Sequence, residues 1–277
     1  MSATLLDAPS RQWGHRVGPV LVCLMAGIAA IGPFLPLGDP NAQDLLRTVD
    51  PPSWHHILGT DAVGRDVLAR LLHAAPRSLG LAVLCVTVAS GAGVALGLTA
   101  AYAGCWVDVL IMRFADLMLA LPGILLALLL AGFLGGGMIP MLIGIKMSLW
   151  PQFARMARAT ALGVLAEPHV EATQLAGFSA VTILHRHVLP LVLPQALTLA
   201  TLGIGSAIMS ISALGFLGLG MQLPVPEWGA MINETLPYLS EAPIQIAAPC
   251  VAIFLSVLGC TLMGEAVAQA AARTTSI

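Results

Sequence analysis

Long apolar stretches alternate with short polar ones along this chain. Residues 17–37 carry no charged side chain and are long enough to cross a membrane, for which about 20 apolar residues are needed. The following segment, 38–77, is polar and contains five acidic residues, four arginines and several prolines. Its last part, 66–75, places apolar residues on one helical face, which predicts a short amphipathic helix.

The remaining sequence has the pattern of five further membrane spans. Polar turns or glycines separate these apolar stretches, which cover residues 78–107, 117–134, 138–159, 191–214 and 242–264. The uncharged stretch 188–226 is too long for one span, so residues 215–228, rich in Gly and Pro, are predicted to form a re-entrant or external segment. We therefore expect an all-α membrane protein with six transmembrane helices.

The composition supports a membrane location. Hydrophobic residues make up 58% of the chain and charged residues 9%, whereas soluble domains carry about a quarter charged residues. So few charges do not cover a surface that faces water. The net charge of −2 and the absence of any Lys/Arg run argue against a nucleic-acid partner. The five cysteines form no C-x-x-C pair, and we expect free, buried thiols with no disulfide or zinc site.

The distribution of arginines predicts the orientation in the membrane. Six spans place both termini on one side, and the positive-inside rule favours the side that carries Arg113, Arg155, Arg158 and Arg186. Both termini are thus expected in the cytoplasm. The first span resembles a signal peptide in position, but it runs long and lacks an A-x-A cleavage site, so we expect it to be retained.

These expectations divide the chain into four parts. They are a cytoplasmic amino terminus with the first membrane helix (1–37), an external segment with an amphipathic helix (38–77), a five-helix core that includes a hairpin at 163–190 (78–265), and a cytoplasmic tail (266–277).

The hairpin is polar and interrupts the apolar sequence between the fourth and fifth spans. Residues 167–176 predict a helix, and Gly177 stands where a helix stop favours positive φ. Ser179 suits the cap of a second helix over 180–188, and Pro190 is expected to end that helix and to begin the next span. Two short helices with so little apolar area do not make a domain, so the hairpin suits docking to another protein.

Six hairpin residues keep a recognisable spacing: Glu171, Ala172, Gly177, His187, Leu189 and Pro190. This pattern resembles the EAA motif of bacterial ABC-importer permeases, with Thr173 where that family usually has Ala. The resemblance implies that these residues couple the chain to an ATPase. For Glu171, we also consider a clamp on Arg186 or His187, or a solvated charge on the helix.

Further stretches narrow the resemblance. The run HILGTDAVGRD at 56–66 is similar to the signature of the dipeptide, oligopeptide and nickel permeases, specifically of the C-type partner. The segments 216–220 and 224–229 resemble the region before that family's last span. The run GEAVAQ at 264–269 departs from the family, because the usual pattern of charged residues is largely lost, which puts a role for the tail in doubt.

The resemblance implies a type I ABC-importer permease fold in the bacterial inner membrane. A second permease would complete a heterodimeric pore, two cytoplasmic ATPases would hold the hairpins, and an external binding protein would deliver dipeptides, oligopeptides, nickel or a metal chelate. The sequence has no GxxxxGK[ST] phosphate loop, so we expect no enzyme activity on this chain and no cofactor.

Lys146 is the only lysine and lies inside the predicted fourth span, about 12 Å deep. A charge at that depth is costly unless it reaches water or a partner, so Lys146 is a candidate for the pore or a subunit interface; snorkelling to the membrane surface is the ordinary alternative. An ion-gradient-driven secondary transporter that uses Lys146 is the competing function, although the sequence shows no inverted repeats. An intramembrane enzyme is a third possibility, but the sequence contains no GxSxG or HExxH motif that would support it.

Other polar and aromatic residues have ordinary interpretations. His185 and His187 lie two positions apart, so they do not share a helix face and do not predict a metal site. We expect Asp61, Arg65 and Asp66 to form an ion cluster that folds the external segment onto the pore, with Asp66 also facing Arg70. Interfacial anchoring is predicted for three tryptophans, Trp106, Trp150 and Trp228.

Overall fold

The computed structural model describes residues 10–222 and 224–274, which form helices and connecting loops with no β-strand. The helices are α1 (Ser10–Ile31), α2 (Val67–Ala103), α3 (Cys105–Leu119), α4 (Gly123–Phe133), α5 (Met138–Leu165), α6 (Pro168–Leu175), α7 (Ala180–Ile183), α8 (Leu189–Phe216), α9 (Trp228–Thr235) and α10 (Pro243–Thr274). A π-helical turn, Leu184–Val188, joins α7 to α8. The all-α prediction is confirmed.

Four helical segments of the described residues are long and apolar enough to cross a membrane: Arg16–Phe34, Val67–Ala103, Ala180–Phe216 and Pro243–Ala270. The pair α3 and α4 counts as a fifth if the two helices form one broken span. Helix α5 has 28 residues but falls short in apolar composition. The number of six spans therefore stays a prediction.

The position of α5 explains its polar composition. It packs against α2, α3, α4 and α8, so protein covers much of its surface. Arg158 forms an ion pair with Asp108 of α3, and Arg155 lies 3.8 Å from Asp116 of the same helix. A helix enclosed in this way does not need the uniform apolar surface of a helix that faces lipid.

Close backbone contact joins α2 to α5. A Cβ atom on Gly93 would lie 2.5 Å from the carbonyl oxygen of Trp150, and one on Gly97 would overlap the carbonyl oxygen of Ala154. The residue numbers of the contacting positions increase together on both helices, so α2 and α5 run in the same direction. Only glycine permits this approach at the two positions.

Two opposite ends of the bundle follow from the helix directions. Helix α10 runs antiparallel to α1, because Gly259 lies against Leu21 while Gly18 lies against Met263. The segment 35–66, the turn after α4 and α9 gather at one end, here called the loop end. There, Gly137 donates a hydrogen bond to the carbonyl of Leu219 (3.1 Å). The hairpin of α6 and α7 lies at the other end, here called the hairpin end.

The amphipathic helix expected at 66–75 and the span expected at 78–107 are one helix, α2, so the predicted boundary between them is wrong. Asp66 caps α2 by accepting a hydrogen bond from the amide of Ala69 (2.7 Å). Pro76 lies inside the helix, where it lacks an N–H donor. The polar residues that suggested a boundary are instead accommodated in packed or ion-paired positions on this continuous helix.

The continuous span expected at 117–134 is also wrong. Helix α3 ends at Leu119, and α4 starts at Gly123 after a bend of 90°. Pro122 is the N-cap of α4 and cannot donate a backbone hydrogen bond, while its ring restricts Leu121. The proline therefore breaks the apolar stretch that sequence hydropathy reads as one helix.

Burial differs from the expectations for cysteine and tryptophan. The described cysteines are all free, but only Cys85 is fully buried, and Cys23, Cys105 and Cys250 are exposed. A membrane protein presents apolar side chains to lipid, so a hydrophobic thiol need not lie in the core.

Trp106 is 73% exposed, so it has a free surface for lipid, and its interfacial position stays a prediction. The interfacial position is wrong for Trp150, which is buried and stacks on Phe114 with ring centroids 5.7 Å apart. It is also wrong for Trp228, which is buried and donates its indole N–H to the carbonyl of Leu71 (3.1 Å). A packing partner on another helix decides these two positions.

Candidate functional site: the hairpin, the loop-end ion cluster and Lys146

A small apolar cluster of its own holds the hairpin. Val170 of α6 and Ile183 of α7 are fully buried, and they pack with Val188 and Val192 against the last turns of α5. This cluster is separate from the main core of the bundle. The base of the hairpin is thereby fixed to α5 and α8, while its tip projects beyond the bundle.

Gly177 forms the bend at the tip, as predicted. Its φ is +81°, in the left-handed region that favours glycine, and its amide donates to the carbonyl of Gln174 (3.0 Å). A Cβ atom there would meet no atom within 4 Å. Glycine is therefore favoured at this position by its backbone conformation. A side chain there would not collide with another part of the chain.

Ser179 caps α7, also as predicted, by accepting a hydrogen bond from the amide of Thr182 (3.3 Å). The helix expected to end at Pro190 does not end there, because it continues through the π-helical turn into α8. Pro190 donates no N–H, and its ring crowds the carbonyl four residues earlier. One widened turn lets the helix pass across the proline, with Leu189 donating to Leu184 in the π pattern.

The six residues of the motif do not form a single contact cluster. Glu171, Ala172, Gly177 and Pro190 are exposed, whereas His187 and Leu189 are half-buried. Glu171 has no ion pair with any described cation, so the clamp on Arg186 or His187 is not formed. His187 instead lies beside His169, with ring centroids 5.8 Å apart.

Sequence inspection missed an apolar surface at the tip. Leu175 is 84% exposed, Val181 75% and Phe178 51%, and the three flank Gly177. Their signal was present in the sequence, since apolar side chains on so short a hairpin have few partners of their own. Together with the carboxylate of Glu171, they give the tip a mixed surface suited to contact with another protein.

Buried ion pairs fix the segment 35–66 at the loop end. Arg65 Nε lies 2.6 Å from Asp61 Oδ2, as expected from the sequence. Glu234 of α9 pairs with Arg65 and lies 3.0 Å from Arg70 Nη2. Arg70 was expected to face Asp66, and Glu234 was not predicted in this cluster, because a separation of 164 residues between Arg70 and Glu234 leaves no local pattern.

Asp66 does not join that cluster, and the expected Asp66–Arg70 pair is not formed. The carboxylate of Asp66 caps α2 with one oxygen and contacts His56 Nδ1 with the other (2.8 Å). His56 therefore has a structural partner. Among the described residues, no group of three His, Cys, Asp or Glu side chains has a geometry that would hold a metal ion.

A second buried carboxylate connects α9 to α2. Glu227 caps α9 by accepting hydrogen bonds from the amides of Gly229 and Ala230 (both 2.9 Å), and it contacts the hydroxyl of Ser78. Burial raises the pKa of the Glu227 carboxyl, and the three hydrogen bonds act in the opposite direction. Together with the ion cluster, this contact fixes α9 against the start of α2.

Lys146 is half-buried in the first third of α5, eight residues after Met138. No acidic side chain of the described residues lies within 4 Å of its ammonium. The lysine is thus a cation without a carboxylate partner in the part of the chain that the structure covers.

A family model for the binding-protein-dependent transport system inner membrane component matches residues 93–276. The chain is 35% identical to the nickel transport system permease protein NikC of Escherichia coli (strain K12), over 93% of each chain. It is 38% identical to the di/tripeptide transport system permease protein DppC of Pseudomonas aeruginosa, over 93% of this chain and 87% of that relative.

The chain is also similar to a third relative in sequence and to one solved structure in fold. The chain is 36% identical to the glutathione transport system permease protein GsiD of Pectobacterium atrosepticum, over 94% of this chain and 87% of the relative. A chain in the inward-facing structure of the MetNI methionine ABC transporter resembles it with a TM-score of 0.53 and 17% identity, over 71% of this chain and 95% of that one. At this identity, the second similarity concerns the fold alone.

Proposed function

Because the chain belongs to the family of binding-protein-dependent transport system inner membrane components, we propose that it is one of two different permease subunits that form the pore of an ATP-driven importer. Two cytoplasmic ATPases drive the pore, and an external binding protein supplies the solute. The relatives are named for nickel, di/tripeptides and glutathione, so the solute is a peptide, nickel or a metal chelate.

The hairpin is the observation that carries this proposal. Its base is packed and its tip is exposed, so a force applied at the tip is transmitted to α5 and α8. We assign the coupling contacts to Glu171, Ala172, Gly177, His187, Leu189 and Pro190. When the ATPases close on ATP, they draw the two hairpins together and shift the pore between its inward-open and outward-open states.

The orientation follows from the same assignment. Arg113, Arg155, Arg158 and Arg186 belong to the hairpin-end side of the predicted topology, which is then cytoplasmic. Both termini lie on that side if the chain crosses six times, with α3 and α4 as one broken crossing and α5 as another. The loop end then faces outward and presents the segment 35–66 to the binding protein.

The sharpest test compares two glycines. Gly177 and Gly163 are both exposed, and a Cβ atom on either would meet no atom within 4 Å, but only Gly177 has a positive φ. Gly177→Ala should cost the bend roughly 1–2 kcal/mol and weaken attachment of the ATPases. Gly163→Ala should leave attachment unchanged. Co-purification of the ATPases and vanadate-sensitive uptake provide the measurements.

The same experiment addresses the competing function. An ion-gradient-driven transporter would take up solute without the ATPases and with no effect of vanadate. If Gly177→Ala and Gly163→Ala retained the ATPases equally and uptake resisted vanadate, the proposal would be wrong. The relatives give no support to the ion-gradient alternative, since NikC, DppC and GsiD are each named as a permease protein of a transport system.

A further inference from the structure

Near the loop end, a cleft opens between α2 and the loop after α8, beside the first residue of α5. Its volume is about 550 Å³, within the range of small-molecule sites. Apolar side chains form its walls, chiefly Leu81 and Leu84 of α2, Met138 of α5 and Met221 of the loop after α8. The α2 lining of the cleft ends at Leu84, before Gly93 and Gly97, where α2 lies directly against α5.

Two polar side chains, Arg77 and Gln222, line this otherwise apolar cleft. The guanidinium of Arg77 donates from Nη1 to the carbonyl of His73 (2.9 Å), within its own helix. No described carboxylate lies within 4 Å of it, unlike Arg65 and Arg70 nearby in sequence, which share Glu234. A guanidinium has five N–H donors, so Arg77 retains donors for an anionic group in the cleft.

The dimensions favour a small ligand over a lipid tail. The α2 residues that line the cleft extend from Pro76 to Leu84, about 12 Å along the helix. An acyl chain occupies half of a hydrocarbon core that is about 30 Å thick, so this cleft is too short to cover it. Methionines at 138 and 221 provide adaptable apolar contact, which suits ligands of varied side chain.

We propose that this cleft is a binding site for a small solute with a free carboxylate. Arg77 and Gln222 contact the carboxylate, and the leucines and methionines cover the apolar part of the solute. The assignment rests on the proposed importer function, since a solute that enters from the loop end meets this cleft first. Lys146, eight residues after the cleft-lining Met138 and thus about 12 Å farther along α5, offers the next cation.

Thiol labelling tests the cleft without knowledge of the transported solute. Gly80 lines the cleft, and Gly91 lies three turns farther on nearly the same face of α2; both are exposed, and a Cβ atom on either meets nothing within 4 Å. Gly80→Cys and Gly91→Cys are made with the five native cysteines replaced by Ala. The complete complex is placed in phosphatidylcholine nanodiscs and treated with anionic ethylsulfonate or cationic trimethylammonioethyl methanethiosulfonate.

The cysteine at 80 should react, and it should favour the anionic reagent relative to a free thiol. Adding Arg77→Gln should lower that preference about fivefold, as expected for removal of a unit charge about 4 Å away in water. The cysteine at 91 should show neither effect. No labelling at position 80, or a preference that does not depend on Arg77, would overturn the proposal.

An added ligand that occupies the cleft should protect the cysteine at 80 from labelling, and this protection identifies the class of ligand. Alanyl-phenylalanine or glutathione should slow labelling at position 80, and alanyl-phenylalanine amide should not. If neither acid protects, or if acid and amide protect equally, the carboxylate assignment is wrong; protection only by phosphatidylglycerol in the nanodisc would assign the cleft to lipid. Co-purified ATPases in every sample show that the importer is assembled, which separates failure of this proposal from failure of the importer function.

Discussion

At the scale of single residues, local chemistry was readable from the sequence and distant partners were not. Gly177 and Ser179 adopt the predicted turn and cap because both roles depend on neighbours within a few positions. The position of Arg70 depends on Glu234, far along the chain, and its pairing emerged only with the fold. Trp228 was misplaced for the same reason, since its partner is the carbonyl of Leu71 on another helix.

Lys146 gives the residue-scale prediction. Its ammonium lacks a carboxylate partner among the described residues, so Lys146→Met should leave the helix bundle stable while it changes transport. We expect solute-stimulated ATP hydrolysis to fall severalfold, with thermal stability of the purified complex equal or slightly higher, because burial of an unpaired charge is costly.

Thermal denaturation and solute-stimulated ATPase activity, measured on the same preparation, check this outcome. Arg155→Met is the matched control, because that residue is an exposed cation of the same helix at the hairpin end. Unchanged stimulation, membrane level and assembly in Lys146→Met would exclude a role in the pore or at an interface.

At the scale of helices, apolar length predicted where most helices lie but not how they break or join. Pro122 was visible in the sequence, yet its effect was lost within an uninterrupted apolar stretch. Pro76 and Pro190 have the opposite outcome, since each lies within a continuous helical path. Whether a proline bends a helix depends on packing and on where the freed carbonyl points, and neither property is encoded in hydropathy.

The contact between α2 and α5 yields the prediction at this scale. Gly97→Ala should place a methyl group against the carbonyl of Ala154 and destabilise the bundle by about 1–3 kcal/mol. Gly91→Ala, on the same helix but facing open space, should be neutral or stabilising by up to about 1 kcal/mol. Unfolding of the two variants in one detergent measures the difference. Equal stability would mean that the helices separate at Gly97 without cost.

At the scale of the whole molecule, the bundle differs between its two ends. The hairpin end projects an exposed tip from a small apolar cluster, which is the arrangement of a part that another protein moves. The loop end is secured by the buried pairs among Asp61, Arg65, Arg70 and Glu234. When force at the hairpin end changes the conformation of the bundle, part of the loop end must stay fixed. We infer that the ion cluster keeps the segment 35–66 in place during that change.

Removal of one charge tests this inference. Glu234→Gln leaves Arg65 and Arg70 with Asp61 as their shared carboxylate partner. Breaking a buried ion pair in this way typically lowers the free energy of unfolding by about 3–5 kcal/mol. Glu241→Gln, an exposed acid of the same end, should cost almost nothing. Trypsin should cut faster after the exposed Arg47 in the first variant, because the segment detaches from α9 more often. Equal cleavage rates in both variants would show that hydrogen bonds such as Gln245 to the carbonyl of Asp50 hold the segment without the ion pairs.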